Sequence, residues 1–244
     1  MVVRRFGIEA EWIAAAVDEL RAAVAAATVQ RMAADNAGSA TGAAGQGPPS
    51  LCLAGGLTPE VVYRAMAALP LVGLAVDLWL GDERVVPAGD GARNALMAAR
   101  AFAACAWDPP PRLRPWPGTA TEADASAAAA RYEAELRAAL GPAPAFDLVF
   151  LGLGSDGHTA SLFPATAPAV ANGAGGRLTA VTTSPLPPHT RMTLTQAAFA
   201  RARRTVFLVK GADKLPALRK LETGDPSIPA SLLAGPGTIV LYLE

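Results

Sequence analysis

Three short apolar runs that each end in glycine constrain this chain more than any other feature. Leu51–Ala54 leads into Gly55-Gly56, Ala75–Leu80 into Gly81, and Phe146–Leu151 into a loop from Gly152 to Gly157. Near-continuous apolar runs of this length read as strands buried on both faces, and parallel strands of that kind need helices to carry the chain back. The intervening sequence supplies them. Trp12, Ile13, Ala16, Val17, Leu20 and Val24 recur at helical spacing and predict an amphipathic helix over Glu9–Ala34. Further helices are predicted over Pro59–Leu69 (with Pro59 as first residue), Arg93–Ala104, Thr121–Leu140 and Ala212–Leu221, with a short turn near Ser231. Later strands are expected at Leu178–Thr183, Arg191–Thr195, Thr205–Val209 and Thr238–Leu243. Two segments read as connectors: Asn36–Ser50, exposed and mobile, and the Pro-rich Pro109–Pro117.

The fold class follows. One α/β domain over residues 1–244 is expected, with a parallel-dominated sheet and helices on both faces. Ligands of such sheets bind beyond the carboxyl ends of the strands, where the glycine-rich polar segments of this chain fall.

Composition narrows the function classes. The 244 residues are 52% hydrophobic and 17% charged, enough for one large core. Twenty-one basic residues balance twenty-one acidic ones, so no global field draws the chain to nucleic acid or to a membrane surface. No run approaches the roughly 18 apolar residues of a membrane-spanning helix. The segment MVVRRFGIEAEW places Glu9 and Glu11 soon after its arginines and contains no uncharged signal core. Cys52 and Cys105 lie outside any Cys-x-x-Cys or Cys/His cluster, which fits two buried thiols in a reducing compartment. A cytoplasmic protein is expected. Arginine outnumbers lysine eighteen to three, so each lysine position carries information.

Five segments could carry chemistry. Gly55, Gly56 and Thr58, between a strand and a helix, can aim amides, a hydroxyl and a helix N-terminus at an anion; taken alone, an ordinary tight strand-to-helix turn is the plainer reading. Asp82-Glu83-Arg84 follows a strand directly, where Arg84 could clamp an anion and Asp82 orient a sugar hydroxyl. The plainer alternative is a solvated turn with local ion pairs. His158 lies two residues beyond Asp156 in a glycine loop, the setting of a general base whose tautomer a carboxylate helps to fix. Arg191 follows a Pro-rich turn, and Lys214 sits in the first turn of a helix, where a terminal phosphate is often bound; singly, each also reads as a surface charge. His189 has no partner nearby in sequence and reads as structural or exposed. No spacing suits a metal, and no aromatic platform suits nucleic acid.

In order, these motifs resemble the 6-phosphogluconolactonase family of the glucosamine-6-phosphate isomerase superfamily, over nearly the whole chain. The family's SGGSTP appears as AGGLTP, DERxVP as Asp82–Pro87, and GxGxDGHTASLFP as Gly152–Pro164. RxTLT and a strand followed by GxxK match at Arg191–Thr195 and Gly211–Lys214. Ala54 and Leu57 replace the two serines, and Arg93 replaces the serine of Asp-Ser-Asn, with Asn94 kept.

The resemblance implies hydrolysis of 6-phospho-D-glucono-1,5-lactone to 6-phospho-D-gluconate, without metal or organic cofactor. His158 would take the water proton, and Asp156 would orient either His158 or a sugar hydroxyl. Gly55, Gly56, Thr58, Asp82, Arg84, Gly157, Arg191 and Lys214 would bind the substrate, a small sugar-phosphate lactone. Two rivals use the same scaffold. A glucosamine-6-phosphate isomerase or deaminase needs a carboxylate to move a proton between C1 and C2, and the deaminases follow the DGH motif with an asparagine-glutamate pair, whereas Ser161-Leu162-Phe163-Pro164 contains no acid. A non-catalytic sugar-phosphate sensor would have lost the base, and His158 is present.

Overall fold

A computed structural model describes residues 1–36, 47–119, 121–166 and 176–244. The chain starts with β1 (Val2–Phe6) and α1 (Glu9–Asn36), then β2 (Ser50–Leu53), α2 (Leu57–Ala67) and the short β3 (Leu71–Val72). Next come β4 (Asp77–Leu80), β5 (Asp82–Arg84), α3 (Asn94–Ala101), β6 (Trp107–Asp108), β7 (Arg112–Arg114) and α4 (Glu122–Leu140). The second half holds β8 (Leu148–Gly152), β9 (Thr179–Thr183), β10 (Thr190–Leu194) and α5 (Gln196–Phe199). It ends with β11 (Thr205–Lys210), a 3-10 turn (Ala212–Lys214), α6 (Leu215–Thr223), α7 (Pro229–Leu233) and β12 (Ile239–Leu243).

Seven strands form one parallel sheet in the order β1-β12-β11-β8-β2-β4-β7. The expected parallel α/β class is what forms. β2, β4 and β8 start and stop within two residues of the predicted runs, and β2, β4 and the first four residues of β8 are buried. A separate antiparallel sheet, β5-β10-β9, stands beyond the carboxyl edge of the main one. The expected stripe of α1 packs on the sheet, with Trp12, Ala16, Val17, Leu20 and Val24 buried. Trp12 also donates its indole N–H to the Leu241 carbonyl at 2.9 Å.

Two tyrosines fix the points at which strands give way to loops. Tyr63 of α2 accepts the Ala54 N–H at 2.8 Å and donates to the Ala54 carbonyl at 3.1 Å. Tyr132 of α4 does the same at Leu80, at 2.9 and 3.1 Å. Both residues lie where the chain leaves the sheet, so each phenol replaces ladder bonds the backbone has just lost. Burial pushes both phenols well above their ordinary pKa, so they remain neutral donors.

Several expectations need correction. Pro59 is the third residue of α2, because the helix begins at Leu57. Asp82–Arg84 is a strand and not a solvated turn: Asp82 and Glu83 are buried. The Pro109–Pro117 connector contains β7, which pairs with β4. Cys105 is only half-buried, whereas Cys52 is fully buried as expected. The Asn36–Ser50 connector lies largely outside the described residues. No described helix is long and apolar enough to cross a membrane.

Candidate active site

A cleft of about 470 Å³ opens at the carboxyl edge of the sheet. Its walls come from the segment after β2, from β5, from the loop after β8, from the turn before β10 and from the 3-10 turn after β11.

The first wall is the Gly55-Gly56 turn. Gly56 adopts φ 105°, a left-handed value open to glycine, and is the N-cap of α2. A Cβ on Gly55 would lie 2.1 Å from Oδ1 of Asn94, so no larger residue fits there while Asn94 keeps its place. The amides and Thr58 face the cleft at a helix N-terminus, an arrangement suited to a phosphate.

The second wall is the small antiparallel sheet. Along β5 the side chains alternate: Asp82 and Arg84 face the cleft while Glu83 points away and is fully buried. Glu83 accepts N–H bonds from Arg84, Asn94 and Ala95 at 2.9, 2.7 and 2.9 Å, and so caps α3. Burial raises its pKa, while those N–H donors and the Arg93 charge at 3.4 Å hold it down in part. Arg93 is thus explained: its guanidinium sits inside, against Glu83 and the Trp116 carbonyl at 2.7 Å.

The strand register sets Arg84 directly opposite Arg191. Like charges in adjacent positions repel unless an anion joins them. Arg191 is 7% exposed, its Nη1 has no partner among the described residues, and Nη2 reaches Ser184 Oγ only at 3.5 Å. Burial, then the Arg84 charge, pull its pKa below the ordinary guanidinium value. A bound anion would give Nη1 a partner and offset the repulsion between the two guanidiniums.

The third wall holds the imidazole. His158 Nδ1 lies 2.6 Å from Asp156 Oδ1, and the His158 backbone N–H donates to the same oxygen at 3.0 Å. Burial pushes the Asp156 carboxyl up, but the His158 N–H and ring outweigh it, and the net shift is down. An ionised Asp156 therefore fixes the proton on Nδ1 and leaves Nε2 as the basic nitrogen. Phe163 tilts over the ring at 4.9 Å between centroids. The ring occupies space that only glycine leaves at 154: a Cβ there would sit 2.1 Å from Nδ1 and 2.6 Å from Asp156 Oδ1.

Gly55, Gly56, Thr58, Asp82, Arg84, Asp156, His158, Arg191 and Lys214 all line this one cleft. Gly157 does not. Its φ of 85° turns the loop, and a Cβ would strike Ile228 Cγ2 at 2.3 Å, so it shapes the loop from behind. His189 holds the Ser184 carbonyl with Nδ1 at 2.9 Å, away from the cleft lining. Lys214 lies in the 3-10 turn, 3.0 Å from Asp213. Lys210, Asn94, Ser161 and Ser184 also line the cleft. Sequence reasoning did not assign them a place there, although period-two alternation along Asp82-Glu83-Arg84 was available to separate Glu83 from its neighbours. Among the described residues no group of three or more His, Cys, Asp or Glu side chains is placed to hold a metal ion.

A parallel α/β scaffold with a glycine turn, paired arginines and a His–Asp couple on one edge defines the class. The chain belongs to the family described as glucosamine-6-phosphate isomerases/6-phosphogluconolactonase, whose model matches residues 18–241. Within it, a Synechocystis protein named 6-phosphogluconolactonase is 38% identical over 206 residues, covering 82% of this chain and 83% of the relative. A Mycobacterium tuberculosis protein of the same name is 37% identical over 205 residues, covering 81% and 82%. The solved 6-phosphogluconolactonase of Trypanosoma brucei superposes with a TM-score of 0.79 at 28% identity, over 99% of this chain and 95% of that one.

Proposed function

We propose that this enzyme hydrolyses 6-phospho-D-glucono-1,5-lactone to 6-phospho-D-gluconate, the second step of the oxidative pentose phosphate pathway, with His158 as general base. The observation that carries this reading is the His158–Asp156 couple at 2.6 Å, on the wall of a cleft that also holds two facing arginines. Lactone hydrolysis needs one water deprotonated and one ring oxygen protonated. A neutral imidazole does both in turn. Nε2 takes the proton as water attacks the carbonyl, and Asp156 stabilises the resulting imidazolium. The same proton then goes to the departing ring oxygen, which restores the neutral base.

The remaining residues divide by charge. Arg84, Arg191 and Lys214, with the Gly55-Gly56 amides and Thr58, hold the phosphate, and Asp82 accepts a sugar hydroxyl. The family relationship supports the lactone as substrate, and two unpaired cysteines fit work in the reducing cytoplasm. The isomerase or deaminase alternative lacks support, because Ser161–Pro164 contributes no acid to the cleft.

The test is a coupled assay. Lactone hydrolysis, read through a 6-phosphogluconate dehydrogenase with the spontaneous rate subtracted, should be enzyme-dependent. Glucosamine 6-phosphate should release no ammonia. Ammonia release, or a lactone rate equal to the spontaneous one, overturns the reading.

A further inference from the structure

Asp82 is held from two sides by residues that no step above uses. Ser161 donates its hydroxyl to Oδ2 at 2.5 Å, and Asn94 Nδ2 donates to Oδ1 at 3.1 Å and to the Asp82 carbonyl at 2.9 Å. Ser161 and Asn94 are each 1% exposed. The Asn94 amide cannot be turned over, because its oxygen would then face two acceptors.

Ser161 comes from the His158 loop, 79 residues away along the chain. Its backbone N–H is also tied, to Thr193 Oγ1 at 3.3 Å, and Thr193 pairs with Asp82 across the β5–β10 ladder. The residue before it, Ala160, adopts φ 47°, a left-handed conformation rare outside glycine. Such a conformation persists where its surroundings over-determine it, and the two Ser161 hydrogen bonds lie next to it. One hydroxyl therefore links the loop that carries the base to the strand that carries the hydroxyl acceptor.

We propose that Ser161 is a positioning residue: through its hydrogen bond to Asp82 it fixes the distance between the His158 base and the sugar-binding carboxylate, with Asn94 bracing the opposite oxygen. The proposal rests on the lactonase reading. A general base works only when the attacked carbon is held at near-contact distance, and small displacements of the two halves cost rate far more than affinity. Loss of the Ser161 hydroxyl removes the side-chain link from the loop to β5 while leaving the His158 imidazole, the arginines and the glycine turn chemically unchanged.

The experiment is a double-mutant cycle on Ser161→Ala and Asp82→Asn, with lactone as substrate and folding checked by circular dichroism. Ser161→Ala should lower kcat about 10- to 100-fold with KM changed less than about threefold. In the Asp82→Asn background the same change should cost less than about twofold, because the partner through which it acts is gone. Ser161→Thr, which keeps the hydroxyl, should recover most of kcat. If Asp82→Asn is too slow for steady-state turnover, single-turnover rates with enzyme in excess over lactone supply the cycle.

Independent, multiplying effects overturn the proposal. So does a Ser161→Ala protein with more than half of wild-type kcat, or a loss that follows only the folded fraction. If Ser161→Ala does not fold, Ser161→Thr decides: a folded protein without recovered kcat overturns the assignment. A wild-type protein inert toward the lactone fails at the reading itself, whereas an active one with an uncoupled cycle fails at Ser161 alone.

Discussion

The two ends of the same parallel strands treat charge in opposite ways. At the amino ends two buried carboxylates, Asp147 and Asp77, are each held by two arginines. Asp147, 3% exposed, receives Arg31 at 2.9 Å, Arg203 at 3.3 Å and the Ser50 N–H and hydroxyl at 2.8 and 3.1 Å. Asp77 receives Arg112 at 2.7 Å and Arg114 at 3.3 Å, which ties β7 to β4. Beyond the carboxyl ends, on β5 and β10, an arginine faces an arginine, and among the described residues Nη1 of Arg191 has no partner. A charge that is complete inside the protein serves the scaffold; a charge left incomplete in a cleft awaits a ligand.

That contrast can be broken from either side. The largest effect should come from His158→Ala: removing the proposed base should cost roughly 10²- to 10⁴-fold in kcat. Its unfolding free energy should stay within about 0.5 kcal/mol of wild type, since the ring is partly exposed. A variant that keeps more than about a third of kcat sinks the mechanism. Asp147→Ala should give the reverse profile: about 3 kcal/mol lost in denaturant titration, with kcat per folded molecule unchanged.

Arg191→Met sharpens the comparison further. Removing one guanidinium from a facing pair should leave stability unchanged or raised. KM should rise about 10- to 100-fold, as loss of a charge-assisted hydrogen bond worth about 1.5–3 kcal/mol requires. Inorganic phosphate should raise the wild-type Tm and leave that of Arg191→Met unmoved. An Arg191→Met protein as destabilised as Asp147→Ala would make the arginine part of the scaffold and erase the distinction.

The pH dependence is smaller and has a definite sign. Asp156 has its folded pKa lowered, so its contribution to stability is complete above the ordinary carboxylate range and is lost as pH falls through the lower folded value. Wild type and Asp156→Asn should therefore differ in unfolding free energy at neutral pH and converge in acid. His189→Ala should be the quietest change, with kcat within about twofold.

Much of this was legible from sequence because burial on both faces leaves few choices of residue type. β2, β4 and β8 could hardly be anything but interior parallel strands, and their glycine ends placed the cleft. Edge strands carry no such signature. In β1 (VVRRF) Val2, Arg4 and Arg5 are exposed and only β12 pairs with it, while β7 (RLR) sits in a Pro-rich stretch. β5 was hidden for another reason. Three charged residues in a row suggest solvent, yet each found a tertiary partner: Asp82 with Ser161, Glu83 with the α3 amides, and Arg84 with the Ala92 carbonyl at 2.5 Å. Asn94 and Ser161 are single polar residues whose role exists only through contacts distant in sequence.

The space left by glycine at 154 has a consequence for how such a protein could change its trade. The imidazole rests where a methyl group would otherwise stand, so Gly154→Ala must push the ring and its aspartate aside without touching the arginines or the glycine turn. The product should then take up 6-phosphogluconate with near-normal affinity and turn over no lactone. On that expectation, one carbon atom would separate a catalyst from a receptor on this scaffold.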